Sequence, residues 1–202
     1  MITVIDYGMG NLRSVVKAVE KYTSDVRVSS DPASIATSKA LIMPGDGAFG
    51  HAMENLTSLG WIKPLIDFIK AGGYFFGICL GYQLLFSTSE EFGHHKGLDI
   101  IPGAVVRFTT DLKVPHMGWN QVVFKQYHPV VDGIPQHSYF YFIHTYYPVV
   151  HDSSWIIGQT QYAVEFASIV GKGNCIATQF HPEKSHKYGL KMIENFVRLA
   201  CS

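Results

Sequence analysis

The sequence lacks several features that would point to particular classes of protein. It carries 16 basic and 16 acidic side chains, so its formal net charge is zero. This balance argues against nucleic acid or an acidic surface as a partner. No apolar run approaches the length of a membrane span, and no basic segment followed by an apolar core and a cleavage site is visible near residue 1. We therefore expect a cytoplasmic protein that binds neither nucleic acid nor membranes.

Cysteine is scarce, and its spacing is not that of a disulfide framework or a metal site. The three cysteines are Cys79, Cys175 and Cys201, an odd set that fits a reducing compartment. None of the ten histidines belongs to a His-x-x-x-His pair. The adjacent His94 and His95 are more typical of a solvated loop than of a metal site. The sequence predicts neither a metal nor a cofactor.

What the chain does contain is a short apolar segment that ends in Gly77-Ile78-Cys79-Leu80-Gly81. Residues 74–78 are typical of a buried strand, and residues 80–86 carry apolar side chains at helical spacing. Cys79 stands where the strand pattern changes to the helical pattern, with a glycine two residues away on each side. This is the pattern of a nucleophile elbow with cysteine in the place of serine, and a helix N-terminus behind the sulfur would favour the thiolate. The alternative is a buried cysteine beside an ordinary strand–helix turn.

The first half of the chain alternates strands and helices, which predicts a parallel sheet with crossover helices in a single α/β domain over residues 1–202. Ligands of such sheets gather beyond the carboxyl ends of the strands. The glycine-rich stretch 44–50 follows one of these ends, although a plain turn would look the same. Strands are predicted at 2–6, 26–29, 40–43 and 74–78, helices at 12–21, 55–71 (broken near Gly60 and Pro64) and 80–86, and a polar loop at 87–97.

Beyond residue 100 the pattern changes to short alternating strands, which indicate an antiparallel addition packed on the parallel core. These strands are predicted at 104–108, 121–124, 138–142, 155–159 and 166–170. A last apolar strand at 175–180 leads to His181-Pro182-Glu183, and an amphipathic helix at 189–200 follows.

His181 and Glu183 leave a predicted core strand at the same sheet edge as Cys79. A cysteine nucleophile needs a base that takes its proton and returns it to the leaving group, and a carboxylate can orient that base. Either residue alone would be typical of an ordinary surface. Together with the elbow and the glycine-rich loop, they predict acyl transfer through a thioester.

The chain resembles the class I (triad) glutamine amidotransferases, in which Gly-x-Cys-x-Gly and a late His-Pro-Glu mark the catalytic triad. Within that family it is most similar to the glutaminase subunits of imidazole glycerol phosphate synthase, and Pro115-His116-Met117-Gly118-Trp119-Asn120 is the discriminating string. The other strings that carry the resemblance are 6–12, 44–50, 77–86, 141–146 and 179–185.

The resemblance implies a flavodoxin-like, three-layer α/β fold with a mainly parallel central sheet, helices on both faces and an antiparallel strand addition. It implies a glutaminase that forms a heterodimer with a (β/α)₈-barrel cyclase subunit and passes ammonia to it. Cys79 would attack glutamine, His181 would act as base and then as acid, and Glu183 would orient His181. The amides of Leu80 and Asp46 would form the oxyanion hole. Glutamine would be held by Gly47, Gln83, Glu91, His144, Thr145 and Tyr146. The cyclase-facing residues would be Asn11, Arg13, Met117, Trp119, Asn120, Tyr141 and Lys184.

Two positions depart from the family pattern. Asp46 stands in the oxyanion loop where the family often has an uncharged residue, and Tyr82 replaces a methionine after the elbow. We expect Asp46 to favour one loop conformation by bonding to a nearby backbone N–H, and Tyr82 to be a packing difference. Two other functions stay open at this stage: a stand-alone cysteine hydrolase of γ-glutamyl bonds, and a catalytically silent interaction subunit.

Overall fold

A computed structural model describes residues 1–201. The strands are β1 (Ile2–Ile5), β2 (Val26–Ser29), β3 (Ala40–Met43), β4 (Tyr74–Ile78), β5 (Phe86–Ser89), β6 (His95–Lys96), β7 (Ile101–Arg107), β8 (His116–Phe124), β9 (Ser138–His144), β10 (Tyr146–Val150), β11 (Ile156–Tyr162), β12 (Val164–Lys172) and β13 (Cys175–Thr178). The α-helices are α1 (Leu12–Val19), α2 (Phe49–Ser58), α3 (Ile62–Lys70), α4 (Leu80–Gln83) and α5 (His186–Cys201). Short 3₁₀ turns occupy Pro32–Thr37, Pro129–Val131, Ser153–Trp155 and Pro182–Lys184. Within the described range, no helix has both the length and the apolar character that a membrane crossing requires.

Nine strands form the main sheet in the order β2-β1-β3-β4-β13-β12-β11-β8-β9. The first five run parallel, and from β13 onward each neighbour is antiparallel. Most of the predicted antiparallel addition therefore continues the parallel sheet, and its first strand, predicted at 104–108, overlaps β7 in the second sheet. A second sheet, β10-β7-β5-β6, is separate.

The inner strands of the parallel part, β1, β3, β4 and β13, are buried on both faces, and each face packs against a different layer. On one face Ile42, Phe76 and Ile78 join the buried residues of α1 and α5. On the other face Leu41 and Phe75 join α2, α3 and β7 of the second sheet. Successive side chains on a strand point to opposite faces, so continuous apolar runs are what a sheet covered on both faces requires. This arrangement confirms the predicted three-layer α/β fold with helices on both faces.

The prediction of a helix over residues 55–71 gives the wrong start and the correct position of the break. Helix α2 already begins at Phe49, whose main-chain N–H donates to Glu91 Oε2 at 2.6 Å. That carboxylate accepts from a free N–H at the helix N-terminus and lies 42 positions away in the chain. No local sequence pattern therefore predicts this helix start. The helix ends before Gly60, which has φ +76°. Pro64 lies in the first turn of α3, where the missing N–H of proline is tolerated.

The prediction of a helix over residues 80–86 followed by a loop over 87–97 is also wrong. Helix α4 ends at Gln83, and Phe86 opens β5, which pairs with β7. Leu84, Leu85 and Phe86 are all fully buried. Their apolar spacing therefore reflects burial between two sheets rather than a helical face. The supposed loop contains most of β5 and all of β6.

The remaining differences concern strand lengths in the second half of the chain. Strands β8, β9, β11 and β12 are each longer than predicted, and β10 was not predicted at all. In β10 the burial does not alternate cleanly, because only Pro148 is buried. The N-cap predicted at Asn11 is present, since its side chain accepts a hydrogen bond from Ser14 N–H at 3.2 Å.

Candidate active site

Cys79 occupies a sharp turn between β4 and α4. Its backbone has φ 55° and ψ −104°, a conformation that residues with a side chain rarely adopt. A Cβ atom on Gly81 would collide with the main-chain carbonyl of Met43, and one on Gly77 would lie 2.7 Å from the carbonyl oxygen of Gly81. Gly81 is therefore needed for the turn to pack against β3, and Gly77 for the turn to close on itself. The turn leaves 7% of Cys79 exposed at the carboxyl edge of the sheet.

His181 reaches the same edge from the end of β13. Its backbone is extended, with φ −97° and ψ 98°, as expected for a residue that precedes a proline. The His181 N–H donates to the Tyr141 carbonyl at 3.0 Å, and Ser185 Oγ donates to the His181 carbonyl at 2.6 Å. These contacts fix the backbone from which the imidazole ring meets the Cys79 sulfur.

Glu183 holds the other side of the His181 ring. Its Oε1 accepts a hydrogen bond from His181 Nδ1 at 2.9 Å, and 1% of its side chain is exposed. A carboxylate oxygen can only accept, so Nδ1 carries a proton and Nε2 is directed toward the sulfur. Glu183 Oε2 is buried without a hydrogen-bond partner among residues 1–201. The imidazole ring is thus the main group that balances this carboxylate.

These neighbours decide the charge on His181. Burial alone would lower the pKa of its imidazole, but interaction with the Cys79 sulfur and with the Glu183 carboxylate outweighs burial and raises that pKa to about 10. A histidine in this state holds a proton at neutral pH and can deliver it to a leaving group. Cys79, His181 and Glu183 therefore have the arrangement of a nucleophile, an acid–base group and an orienting carboxylate.

Two further groups lie near the sulfur at the long limit of a sulfur hydrogen bond. The Cys79 thiol is 3.9 Å from the Ile143 carbonyl oxygen, and Gln179 Nε2 is 3.9 Å from Cys79 Sγ. Gln179 is fully buried and was not among the predicted site residues. It belongs to the string 179–185 that carried the resemblance, but the string alone assigns it no role.

A cleft of about 350 Å³ opens beside the three residues, which is room for a small ligand. All six predicted glutamine-binding residues and both predicted oxyanion residues line it. Its lining is Asp46, Gly47, Cys79, Leu80, Gln83, Glu91, Pro115, Ile143, His144, Thr145, Tyr146, His181 and Lys184. In the part of the chain that the structure describes, no three His, Cys, Asp or Glu side chains are grouped to hold a metal ion.

Glu91 forms one wall of this cleft. Burial raises the pKa of its carboxyl, and the hydrogen bond from Phe49 N–H and the charge of His95 oppose that rise. One carboxylate oxygen is engaged by Phe49, as described for the start of α2. The other remains the group that Glu91 can offer to a cation in the cleft.

The loop after β3 has a carbonyl, not an N–H, aimed at the predicted oxyanion position. Leu80 N–H donates to the Gly45 carbonyl oxygen at 3.4 Å. In a trans peptide the C=O and the following N–H point in opposite directions, so the Asp46 N–H points away from Leu80. Gly45 is closely packed, because a Cβ there would collide with the Tyr7 hydroxyl and lie 2.8 Å from Leu80 Cβ.

The Asp46 side chain holds this loop conformation. Its Oδ1 accepts a hydrogen bond from Gly10 N–H at 3.0 Å. Asp46 is exposed, and it therefore joins the oxyanion loop to the turn that follows β1. The expectation that its short side chain bonds a nearby backbone N–H is confirmed. Tyr82, the other departure, is fully buried and donates its hydroxyl to the Ala167 carbonyl at 2.8 Å.

The predicted cyclase-facing residues are exposed or half-buried. Met117 and Trp119 of β8 are 57% and 44% exposed, and they pair with Ile143 and Tyr141 of β9. The Trp119 ring stacks on His186, with centroids 4.9 Å apart. Asn11, Arg13 and Lys184 are exposed, and Asn120 and Tyr141 are half-buried. Of the seven, only Lys184 lines the cleft itself.

Comparison with known proteins agrees with this geometry. Residues 3–200 match the family described as "Glutamine amidotransferase class-I". The chain is 49% identical to "Imidazole glycerol phosphate synthase subunit HisH" of Syntrophotalea carbinolica, over 97% of this chain and 98% of that protein. It is 48% identical to the protein of the same name from Desulfitobacterium hafniense strain DCB-2, over 97% of this chain and 93% of the relative.

Solved structures that are distant in sequence share the fold. "Structure of PurLQS from Thermotoga maritima" superimposes with a TM-score of 0.77 at 14% identity, over all of this chain and 98% of that one. A structure titled "Crystal structure of glutamine amidotransferase" gives a TM-score of 0.75 at 17% identity, over the whole of both chains. At these identities the likeness concerns the fold alone. The family match and the close relatives together show that this chain belongs to the class I glutamine amidotransferases, and within them to the HisH group.

Proposed function

We propose that this protein is the glutaminase subunit of imidazole glycerol phosphate synthase. It hydrolyses glutamine to glutamate and ammonia through a Cys79 thioester, and it passes the ammonia to a cyclase subunit with a (β/α)₈ barrel. Imidazole glycerol phosphate and aminoimidazole carboxamide ribotide are the products of the complete enzyme, in histidine biosynthesis. The observation that carries the proposal is the contact of Cys79 with a His181 ring that Glu183 orients, at the edge of a cleft of about 350 Å³.

In the first half-reaction the Cys79 thiolate attacks the side-chain amide carbon of glutamine. A carbon–sulfur bond forms, and the carbonyl electrons move to oxygen. His181, which holds its proton because of Cys79 and Glu183, then donates that proton to the amide nitrogen. The carbon–nitrogen bond breaks, ammonia leaves, and a glutamyl thioester remains.

In the second half-reaction His181 acts as a base. It takes a proton from a water molecule, whose oxygen attacks the thioester carbon. The tetrahedral intermediate collapses, the carbon–sulfur bond breaks, and glutamate leaves from a regenerated Cys79 thiolate. Glu183 stabilises the imidazolium that forms again in this step.

The cleft lining supports glutamine as the substrate. Glu91 would bind the α-ammonium group of glutamine, and Gln83, His144, Thr145 and Tyr146 line the same cleft as Glu91 and Cys79. Gly47 contributes main chain near the loop that must hold the oxyanion. These groups would keep the amide carbon beside the sulfur, which is the geometric requirement for attack.

The loop geometry supports dependence on the cyclase. Stabilising the oxyanion with Asp46 N–H requires the Gly45–Asp46 peptide to rotate, because Gly45 C=O now meets Leu80 N–H. Asp46 is tied to Gly10, and Gly10 precedes the predicted interface residues Asn11 and Arg13. A cyclase that docks over these residues is in a position to release the loop.

The test is release of glutamate by the purified chain alone, with its cyclase subunit, and with cyclase plus a cyclase ligand. We expect little hydrolysis alone and strong activation in the last condition. A chain that works equally well alone would be a stand-alone hydrolase. A chain that never releases glutamate, while still binding the cyclase, would be a silent interaction subunit. Either result would contradict the proposal.

A further inference from the structure

The main-chain carbonyl of Tyr146, at the back of the cleft, accepts two hydrogen bonds from side chains. His144 Nδ1 lies 2.8 Å from this oxygen, and Gln83 Nε2 lies 2.9 Å from it. A carbonyl oxygen can only accept. His144 must therefore carry a hydrogen on Nδ1, and Gln83 must turn its amide nitrogen toward Tyr146.

The tautomer of His144 then determines the tautomer of His116. Burial lowers the pKa of His144 to about 3 and that of His116 to about 4, so both rings are neutral. With its hydrogen on Nδ1, neutral His144 has a bare Nε2, which lies 2.9 Å from His116 Nδ1. His116 must donate this hydrogen bond. The bare Nε2 of His116 in turn accepts from Asn120 Nδ2 at 3.1 Å.

The outer end of this series is fixed independently. Asn120 Nδ2 also donates to the Gln161 carbonyl at 3.0 Å, and Asn120 Oδ1 accepts from Gln121 N–H at 2.8 Å. Main-chain groups therefore assign the Asn120 amide without reference to either histidine. The donors and acceptors assigned from Tyr146 agree with those assigned from Asn120. The Tyr146 carbonyl, His144, His116 and Asn120 therefore form one consistent series of hydrogen bonds.

The inner end of the series reaches the nucleophile. Gln83 Nε2 also donates to Gln179 Oε1 at 3.0 Å. Gln179 consequently turns its Nε2 toward the Cys79 sulfur, 3.9 Å away. With both amide hydrogens of Gln83 directed inward, its Oε1 is the group that Gln83 can present to a ligand in the cleft.

We propose that His116 is a positioning residue of the glutaminase site: by donating Nδ1–H to His144 Nε2 it holds the His144 ring with its own Nδ1–H on the Tyr146 carbonyl, the same carbonyl that orients the Gln83 amide toward Gln179. This inference rests on the proposed glutaminase function, because Gln83 matters to catalysis only if glutamine binds in the cleft. His116 does not line the cleft and touches no substrate. Without its donor, His144 Nε2 would be a buried acceptor lacking its partner, a state that costs enough to favour rearrangement.

The alternative is that His116 only fills space. Its ring stacks on Tyr162, with centroids 4.0 Å apart, and on Phe142, with centroids 4.8 Å apart. The side chain is 4% exposed. Phenylalanine would preserve this stacking and remove the donor. Asparagine would place an amide N–H close to the position of Nδ1–H and remove the stacking. The two variants therefore separate packing from positioning.

The experiment compares glutamine hydrolysis by His116→Phe and His116→Asn, each in complex with the cyclase and its ligand. We expect His116→Phe to raise KM for glutamine about ten- to a hundredfold, with a smaller effect on kcat, because a buried acceptor loses its donor. His116→Asn should recover most of this loss. His128→Phe is the control for removing a half-buried histidine away from the cleft, because His128 bonds to Gly173 and Val130. It should leave KM near the wild-type value.

A His116→Phe variant with wild-type KM, or a His116→Asn variant more damaged than His116→Phe, would overturn the inference. If the unmutated complex releases no glutamate, the proposed function itself fails instead. Nitrogen-15 NMR of the imidazole rings in the unmutated complex tests the inference without any substitution. It should find His116 and His144 neutral and protonated on Nδ1, and a hydrogen on Nε2 of either ring would contradict the series.

Discussion

His181 and His144 each have 6% of their surface exposed, and both line the same cleft, yet their rings are held in opposite charge states. At His181 burial lowers the pKa, but the Cys79 sulfur and Glu183 outweigh it and raise the pKa to about 10. At His144 burial lowers the pKa, the hydrogen bond to the Tyr146 carbonyl only partly opposes it, and the pKa falls to about 3. The difference comes from the neighbours: His181 faces the Cys79 sulfur and a carboxylate, and His144 faces a carbonyl and another neutral ring.

The comparison separates two uses of one side chain. A ring that must release and recover a proton needs a carboxylate to stabilise its cation. A ring that must keep one hydrogen-bond pattern should never change its charge, and burial without a carboxylate achieves this. Catalysis and positioning therefore use the same residue type at the same burial. The predictions below perturb first the charged site, then the loop, and last the neutral pair.

The largest effect should come from removing the sulfur. Cys79→Ala eliminates the nucleophile, so glutamine-dependent synthesis by the complex should be abolished, while synthesis from added ammonia should persist because the cyclase needs only ammonia. Cys175→Ala is the matched control, since Cys175 is a second buried cysteine whose thiol is held inert by burial, which raises its pKa to about 12. Both activities can be measured in one assay of cyclase product. Glutamine-dependent turnover by Cys79→Ala would show that the nucleophile is another group.

Next in size are the two partners of the sulfur. His181→Asn should reduce kcat by about 10⁴-fold or more, because triad members act as a unit. Glu183→Gln should cost less, since the ring keeps a hydrogen-bond partner and loses only the stabilisation of its cation. Steady-state kinetics of glutamate release, with the cyclase present, measures both. If Glu183→Gln proves more harmful than His181→Asn, the roles assigned to these two residues are wrong.

A smaller change should follow from freeing the loop while leaving both histidines intact. Asp46→Val removes the hydrogen bond to Gly10 N–H and a negative charge near the developing oxyanion. We expect basal hydrolysis without the cyclase ligand to rise, by no more than the roughly hundred- to thousandfold that one oxyanion donor supplies. The fold activation on adding the ligand should fall correspondingly.

Asp46→Asn is the matched control for this loop, because it keeps a side-chain acceptor for Gly10 N–H and removes the charge. It should stay closer to the wild type in basal rate if the hydrogen bond is what restrains the loop. Unchanged basal rate and unchanged activation in Asp46→Val would show that Asp46 is a neutral replacement.

The smallest effect is the change of folding stability with pH, and its sign at His144 and His116 is opposite to its sign at His181. The pKa values of His144 and His116 are lowered in the folded protein, so the stability that these rings contribute is present above their ordinary pKa of about 6.5. It is lost as pH falls from there toward 4. Between pH 7 and 5 the loss is at most about 2 kcal/mol for a ring. His181 behaves oppositely: its contribution is present below pH 6.5 and is lost as pH rises toward 10.

Urea denaturation of the wild type and of His116→Phe at pH 7 and pH 5 checks the first half of this statement. The variant, which has one depressed histidine fewer, should lose less stability on acidification. Denaturation of the wild type and of His181→Asn between pH 7 and 10 checks the second half, and the variant should again lose less. Equal pH dependence in both comparisons would mean that neighbours do not set the two charge states as described.

The grouping of Cys79, His181 and Glu183 could be predicted from the sequence. His144 and Gln83 were named only through the family resemblance, and their contacts with His116 and Gln179 were not predicted. Cys79 is marked by glycines two residues away, and His181 and Glu183 stand together after one strand, so their signals are local. The pairing of His116 with His144 depends on the register of β8 with β9, and the contact of Gln83 with Gln179 spans 96 positions. No local sequence pattern predicts such a register or such a distant contact.

The errors in the fold have the same origin. Helix α2 begins at Phe49 because Glu91, distant in the chain, accepts its N–H. Strand β5 begins at Phe86 because that segment pairs with β7 in the second sheet. In both cases a partner that is remote in sequence overrides a local preference. The parallel core was predicted correctly because its strands are apolar on both faces and are separated by recognisable helices.

The central claim, that Cys79 is the nucleophile of a glutamine-binding cleft, is tested most directly by covalent labelling. The complex is treated with a glutamine analogue that carries an electrophilic side chain, with and without excess glutamine, and its peptides are mapped by mass spectrometry. The account predicts one label on Cys79, prevented by glutamine, with buried Cys175 and exposed Cys201 left unmodified. Equal labelling of the three cysteines, or labelling of Cys79 that glutamine does not prevent, would contradict it.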